Sequence, residues 1–498
     1  MRVLLINPPL REQYPPSTFP YGLGYVGKYL KKAGHQVEFL DIDAHRYTRE
    51  KALEELKKYD CDVIGTGGLV TVYRYLKWLV PNLRKIHPKA KIIVGGSLPT
   101  SAPHETLKGL DIDFIVLGEG EITGPELVGY LEKQKNQKKQ LKLDELKRIK
   151  GIGFKHNGNV IISEPRELIQ NIDEVGSPDW ELIDADRIIR KYANGVMGIL
   201  TERGCPFRCN FCYHQFGYKS RRRSADNFVK EMKLIHDKYG IKHFSFGDNL
   251  TFLNTNDVLK FMRALKKYEL QHITYDISMR ASLINEELVK LLKKSRCKGL
   301  NFGFESGSQK VLNLMNKRTT IEQMDNAILT LEKYKMPYCG TFMIGYPGET
   351  KEDVGKTIEF CKRHGILAKP FFTTPYPGTP LFYQIKHKIK DMDKFLQALG
   401  DARDLSINIS KFSTKELLRQ RRRVTQETEK AYLKKHKVLG FLFSPLALLN
   451  IEVGFAVATF LTTPFPAFMK NSLKIAFNYL KGKPVVPLSD KGYNKSVE

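Results

Sequence analysis

The stretch Thr201-Glu-Arg-Gly-Cys-Pro-Phe-Arg-Cys-Asn-Phe-Cys-Tyr213 decides how this chain is read. It holds Cys205, Cys209 and Cys212, three of the 7 cysteines in 498 residues, at the spacing C-x3-C-x2-C. Deprotonated thiolates this close in sequence can converge on one metal centre. No fourth cysteine or histidine completes the set, and His214, directly after Tyr213, is badly placed to reach the same metal. A closed structural zinc site takes four protein ligands, and so does an electron-transfer iron–sulfur cluster. Three ligands on a four-iron cube leave one iron open, which points to chemistry at the metal. A zinc site with a distant fourth ligand is the competing reading.

Written as C-x3-C-x-(aromatic)-C, with Phe211 as the aromatic, the motif resembles the signature of the radical S-adenosylmethionine enzymes. The resemblance implies a [4Fe-4S] cluster on the three cysteines. It implies S-adenosylmethionine on the fourth iron, held through its amino and carboxylate groups. Reductive cleavage would then give a 5'-deoxyadenosyl radical that abstracts hydrogen from a substrate. A reducing electron donor of flavodoxin or ferredoxin type goes with this chemistry.

The residues after the motif support a barrel. Apolar runs at 196–202, 243–247, 273–278, 299–303, 338–344 and 368–374 alternate with helical patterns at 227–239, 257–268, 286–294, 321–334 and 351–364. Six such units over residues 191–400 predict a (β/α)6 partial TIM barrel, with its site at the strand carboxyl ends. The turns there match the family in order. Gly247 and Asp248 end the second strand, where the resemblance places the methionine amino group. Asp248 and Tyr213 are the candidate catalytic residues. Arg280 ends the third strand, where a cation would pair with the carboxylate of S-adenosylmethionine, against a structural ion pair as the plain reading. Glu305 and Ser306, within Gly303-Phe-Glu-Ser-Gly307, would hydrogen-bond the ribose or methionine part. Ile344 and Gly345 open the turn Gly345-Tyr-Pro-Gly-Glu-Thr350, where Ile344 would pack on adenine. Residues 373–380 would line the adenine or substrate side.

Before the motif, residues 1–135 alternate short apolar strands with helices, which predicts a doubly wound Rossmann-like domain with ligands at the strand carboxyl ends. The glycine-rich turns at 65–71 and at Gly95-Gly96-Ser97 resemble those of cobalamin-binding domains, and Glu119-Gly120-Glu121 follows the fifth strand. Thr71, Gly95, Gly96 and Ser97 are the candidates for holding cobalamin, glycine allowing close approach to the backbone. The D-x-H-x-x-G motif is absent from the first turn, so the resemblance implies a cobalt not held by histidine. A degenerate domain without cobalamin is the alternative. A nicotinamide domain is disfavoured, because no G-x-G-x-x-G follows the first strand.

Residues 136–190 read as a joining stretch, with a hairpin at 151–162 turning on Asn157-Gly158. Residues 401–498 read as helical, basic and partly apolar. Leu417, Val424 and Ala431 form a thin stripe on a basic helix over 415–437. Apolar runs at 438–451 and 453–469 follow, each short of the ~20 residues that span a bilayer, and basic character returns at 470–483. This pattern predicts peripheral attachment to an anionic membrane surface, against a helical cap packed on the barrel. A membrane location would favour a lipid or isoprenoid substrate over another small molecule.

The net charge of +27 suits an anionic partner without naming it. Nucleic acid is disfavoured: RNA-modifying methylthiotransferases resemble this barrel but carry a further cysteine triplet in the first domain, where this chain has Cys61 alone. Cys61, Cys297, Cys339 and Cys361 read as core thiols. With no disulfide framework and no secretory signal, the expected location is cytoplasmic, peripheral on the inner face of the membrane. The leading expectation is a cobalamin-linked radical S-adenosylmethionine enzyme acting on an unactivated carbon, by methylation, cyclisation or C–C coupling. A radical RNA-modifying enzyme and a non-catalytic metal scaffold are the alternatives.

Overall fold

A computed structural model of the chain describes residues 1–435 apart from 13–15, 17, 18 and 194. The first sheet has seven strands: β1 (Arg2–Asn7), β2 (Gln36–Asp41), β3 (Val63–Gly67), β4 (Lys91–Gly95), β5 (Phe114–Val116), β6 (Ile152–His156) and β7 (Asn159–Ile162). Their order is β2-β1-β3-β4-β5-β6-β7. The first five run parallel, and β6 and β7 continue the sheet as an antiparallel hairpin. Leu4, Ile6, Ile64, Ile92 and Val94 are fully buried on one face, and Val3, Leu5 and Val63 are at most 2% exposed on the other, as expected of a parallel sheet flanked by helices. Since β1 lies between β2 and β3, the chain order reverses there, and a crevice opens at the strand carboxyl ends. The hairpin does more than join. Asn157 at φ 48 and Gly158 at φ 78 make the expected turn, and Phe154 packs beside Phe114 in the sheet.

The second unit begins with β8 (Val196–Ile199). Two short antiparallel strands, β9 (Glu202–Arg203) and β10 (Arg221–Arg222), then bracket the cysteine loop. The strands β11 (His243–Phe246), β12 (Thr274–Met279), β13 (Cys297–Glu305), β14 (Tyr338–Ile344) and β15 (Phe371–Phe372) complete a six-stranded parallel half-barrel with β8. Its helices sit on one face. Phe244, Tyr275, Ile277, Phe302 and Phe342, none more than 2% exposed, share one core with Phe261, Leu292, Ile328 and Phe360 of the helices. On the other face His243, Ser245, Asp276 and Ser278 are half-buried, and Asn301, Cys339 and Thr341 are exposed. Thr350 caps the helix Lys351–His364 with Asp353 in a reciprocal pair, the helix start that Glu349-Thr350 predicts.

Beyond the last strand the chain returns to the first unit. Phe382, Phe395 and Leu396 join the core around Tyr73 and Leu76, and the Tyr73 hydroxyl donates to Asp393 at 2.5 Å. The helix Thr414–Lys435 then lies along Lys351–His364. Leu417 and Val424 are each 1% exposed in the barrel core, and Lys362 pairs with Glu427 at 2.8 Å. The Leu417 and Val424 part of the stripe expected to face a membrane thus faces the barrel, where it joins the apolar core that includes Ile358 and Cys361 of Lys351–His364. Both apolar runs and the basic segment after them, 438–483, lie outside the described residues. Among the described residues, no helix is long and apolar enough to cross a membrane.

Candidate active site

The cysteine loop leaves β8 under tight backbone control. Asp248 accepts from Thr201 N at 2.7 Å, from the Thr201 hydroxyl at 2.5 Å and from Glu202 N at 3.2 Å. Both of its oxygens are thereby engaged, so Asp248 is not the free carboxylate expected of a catalytic residue; it pins the loop. Gly204 sits at φ 89, and a Cβ there would lie 2.3 Å from the Lys219 carbonyl, so only glycine fits. Further along, Asn210 N donates to Met315 O at 2.9 Å, and Phe211 packs with Val311, Met315, Tyr346 and Leu381. Phe211 is therefore an anchor of the loop. Tyr213 lies against Gly378, where an added Cβ would come within 2.5 Å of its ring. It does not border the cavity described below.

The thiols have a cationic neighbour. Arg280 reaches Cys209 Sγ at 3.7 Å and stacks on Phe207 at 3.7 Å from the ring centroid. It donates to Thr319 Oγ1 at 2.7 Å and to the Lys317 carbonyl, and its Nε is buried without a partner. Its described partners are carbonyls, a hydroxyl and a thiol, so the structural ion pair is not what holds it. Burial pushes the Cys212 thiol up to about 12 and raises that of Cys205. Metal ligation displaces such protons. Among the described residues, no three His, Cys, Asp or Glu side chains are grouped around a single ion site. Three thiol donors carried on one loop suit a cube that takes each thiolate on a different iron. The orphaned Arg280 Nε beside it suits an anionic group of a bound cofactor.

Glu305 and Ser306 are differently placed from the expectation. Glu305, at φ 68, pairs with Lys317 at 3.1 Å. Ser306 is fully buried and links Ser308 N, at 3.1 Å, to the Thr357 hydroxyl, at 3.2 Å. Ser306 holds the turn together and faces no open space. Ile344 is 2% exposed in the barrel core, and its carbonyl accepts from Thr373 N at 2.9 Å. Gly345, at φ 85, donates its N–H to Glu349 at 2.6 Å. Gly247 borders the cavity together with Asp248.

That cavity, of about 520 Å³, runs from the face of the first sheet that carries Val3, Leu5, Val63 and Ile93, past its carboxyl edge, to the start of the cysteine loop. Gly95, Gly96 and Ser97 line it from one side, and Glu202, Arg203 and Gly204 from the other. The two glycine turns interlock: a Cβ on Gly67 would lie 2.0 Å from Gly95 O. A Cβ on Gly95 would meet nothing within 4 Å and would stand in the cavity. Ser97 donates to Gln215 at 2.5 Å across the junction. Thr71 is not on the wall; it sits in the short helix Val70–Val72, and Leu69, 51% exposed, lines the cavity instead. A volume of this size within glycine turns fits a large, partly apolar cofactor.

Sequence reasoning passed over two sets of residues. Glu202 is buried at the cavity wall, where burial and then the charge of Asp248 push its carboxyl up to about 7. On the open face of the half-barrel, Asp276 accepts from Ser245 at 2.9 Å and contacts His243 at 3.0 Å, while Cys339 donates to Asn301 at 2.7 Å. Cys61, Cys297 and Cys361 are buried as expected of core thiols, but Cys339 is exposed, because its alternation in β14 sets it opposite Phe342 and Ile344.

A cysteine loop on a half-barrel, joined through one cavity to a glycine-edged Rossmann-like sheet, defines an enzyme built for a metal cluster and a second cofactor. Two family models match the chain: the radical SAM superfamily over residues 199–361 and the B12 binding domain over residues 10–128. The uncharacterized methyltransferase PH0819 of Pyrococcus horikoshii is 32% identical over 463 residues, 90% of this chain and 94% of the relative. Cytidylyl-2-hydroxyethylphosphonate methyltransferase of Streptomyces wedmorensis is 26% identical over 436 residues, 76% of this chain and 80% of the relative. The fold is shared with the cobalamin-dependent S-adenosylmethionine radical enzyme OxsB, at TM-score 0.65 and 18% identity, over 97% of this chain and 81% of that one. The chain belongs to the radical SAM superfamily, in the branch that carries an amino-terminal B12 binding domain. It is an enzyme whose cofactors are a [4Fe-4S] cluster, S-adenosylmethionine and cobalamin.

Proposed function

We propose that the chain methylates an unactivated carbon of a small molecule, with the corrin seated in the cavity and the substrate on the open face of the half-barrel. The observation that carries this reading is the single cavity shared by Gly95-Gly96-Ser97 and Arg203-Gly204, the latter directly before Cys205. A relative named as a methyltransferase over almost its whole length supports methylation over cyclisation. When bound, the cofactors supply a hydrogen-abstracting radical and a transferable methyl group. The chain's own residues then have these roles. Cys205, Cys209 and Cys212 would hold the cluster, and Arg280, whose Nε has no partner, would supply a cation for the carboxylate of S-adenosylmethionine. Phe207 and Phe211 keep water from the thiolates. Asp248 is a positioning residue for the loop, Gly247 leaves the backbone open at the cavity wall, and Gly345 makes room for Leu417 in the barrel core. Gly95 and Gly96 let the corrin approach the backbone.

The substrate side is polar. Asp276, Asn301, Ser278 and Thr341 offer hydrogen-bond acceptors and hydroxyls, with no lysine or arginine among them, which suits a hydroxyl- or amino-bearing group. The lipid or isoprenoid substrate and the anionic membrane surface rest on residues 438–483, outside the described part. A flavodoxin or ferredoxin type of donor would deliver the electron.

The test is anaerobic reconstitution with iron, sulfide and cobalamin, followed by S-adenosylmethionine carrying a deuterated methyl and a strong reductant. The expected products are 5'-deoxyadenosine and S-adenosylhomocysteine, with deuterium appearing in the methylated acceptor. Absence of 5'-deoxyadenosine above a no-protein control, from a sample with verified cluster, refutes the radical reading. Absence of retained corrin absorbance refutes the placement in the cavity.

A further inference from the structure

The turn Glu119-Gly120-Glu121 has no role in the function described above, yet it reaches across the junction. Glu119 accepts from Arg203 at 2.7 Å and from Arg221 at 2.9 and 3.0 Å. Glu121 accepts from Arg203 at 2.5 Å, and Ile169 N adds a hydrogen bond to Glu119 at 2.7 Å. The side chains are 4% exposed at Glu119, 5% at Glu121, 11% at Arg203 and 2% at Arg221. Two carboxylates thus face two guanidiniums away from water. The Arg203 guanidinium also lies 5.1 Å from the Tyr25 ring centroid and 5.4 Å from that of Phe216.

The place of these residues matters more than their charge. Arg203 and Arg221 are paired across β9 and β10, the two strands that bracket the three cysteines. Glu119 and Glu121 follow β5, at the carboxyl ends of the first sheet's strands. Both glutamates and Arg203 also border the cavity. A buried ion network of this kind is weak evidence for stability, since apolar packing would serve as well; its directional forks fix geometry. Arg203 sends one nitrogen to each glutamate, an arrangement that a lysine cannot reproduce.

We propose that Glu119 and Glu121 form a positioning clamp on Arg203, which sets the distance and orientation of the cluster relative to the corrin. The clamp rests on the placement of the corrin in the cavity. Its residues touch neither the reacting carbon nor the cysteines, and act through the strand that leads into the loop.

The experiment uses the reconstituted full chain, with the cluster reduced to its paramagnetic state and the corrin as cob(II)alamin. Pulsed electron paramagnetic resonance reads the dipolar coupling between the two spins. Wild type is expected to give one narrow distance distribution. Glu121→Gln and Arg203→Lys, each with iron and cobalt contents verified, should broaden or shift it about twofold or more relative to the wild-type width, since such sites tolerate only ~0.5 Å. Arg203→Lys keeps the charge in the network and serves if Glu121→Gln does not fold. Unchanged distributions in the folded variants overturn the clamp. A wild-type sample that binds the cluster but no cobalt overturns the corrin placement, and the clamp with it; the cobalt content tells the two failures apart.

Discussion

Two glycines separate the seat of the corrin from the stability of the fold. Gly67 and Gly95 are register partners on β3 and β4, yet an added methyl group meets opposite fates at them. At Gly95 a Cβ finds no atom within 4 Å and projects from the cavity wall, and the backbone there is not in the left-handed region. Gly95→Leu should therefore leave the fold intact, with roughly 0.5–1 kcal/mol of gain from replacing a strand glycine. The leucine and the corrin would claim the same space, so corrin binding should weaken at least ~100-fold, about 2.7 kcal/mol. At Gly67 a Cβ lies 2.0 Å from Gly95 O, at φ 140. Gly67→Ala should destabilise the chain by about 2–4 kcal/mol, through overpacking against backbone and strain at a positive φ. Urea melts of the apoprotein, together with corrin retained on gel filtration and cluster iron as a control, read both effects. Gly95→Leu should melt at or slightly above the wild-type urea concentration, carry a full cluster and lose the corrin. Wild-type corrin affinity in Gly95→Leu would refute the cavity as the seat. A wild-type melt of Gly67→Ala would refute the interlocked turns.

Leu417→Ala should cost ~2–5 kcal/mol in a denaturant melt, because Leu417 is 1% exposed in the barrel core. A helix whose stripe served a membrane would instead lose liposome binding and keep its stability. Burial holds the Glu349 carboxyl at about 7, above its ordinary 4.5, so the folded chain binds that proton more tightly than the unfolded one. Its contribution should be full below about pH 4.5 and fall away as the pH rises through 7, by ~3 kcal/mol in all, and Glu349→Gln should remove that part of the slope between pH 5 and 8. In the reconstituted enzyme, iodoacetamide should modify Cys339 well ahead of Cys61, Cys297 and Cys361, which are buried. Equal rates by peptide mass mapping would show that the open face of the half-barrel is covered.

Much of this molecule is written in spacings of two to four residues. The cysteine triplet, the glycine turns after β3 and β4, and the capped helix after Glu349 all follow from local chemistry, and each stands where the pattern puts it. What the pattern does not carry is the partner of each polar group. Asp248 at a strand end looks the same in sequence whether it faces a ligand or binds Thr201, and Glu305 gives no sign that Lys317 neutralises it. The hairpin at 152–162 joins the first sheet through long-range pairing with β5, which no local signal records. The stripe of Leu417 and Val424 suits a bilayer or a barrel groove equally, since both reward the same apolar face. Cys339 was legible: in Tyr338-Cys-Gly-Thr-Phe-Met-Ile344, alternation alone sets it opposite the core residues Phe342 and Ile344.

The two sheets solve opposite problems, and their junction follows from that. The first is flanked by helices, and the space it offers a ligand runs from the glycine turns at its carboxyl edge along the face that carries Val3, Leu5, Val63 and Ile93. The second keeps helices on one face only, which is unusual for parallel strands, and so leaves Asp276, Asn301 and Cys339 open to a polar molecule. In the reaction we propose, a radical made at the cysteine loop would have to reach that face, while the methyl donor would stand on the other sheet. Neither sheet alone fixes the geometry between them. In the clamp we propose, Arg203 is where it would be fixed: one residue before Gly204, whose crowding by the Lys219 carbonyl allows no side chain, and gripped by two glutamates of the first sheet's turn. The stretch that carries the three cysteines would then also carry the contact that aims them.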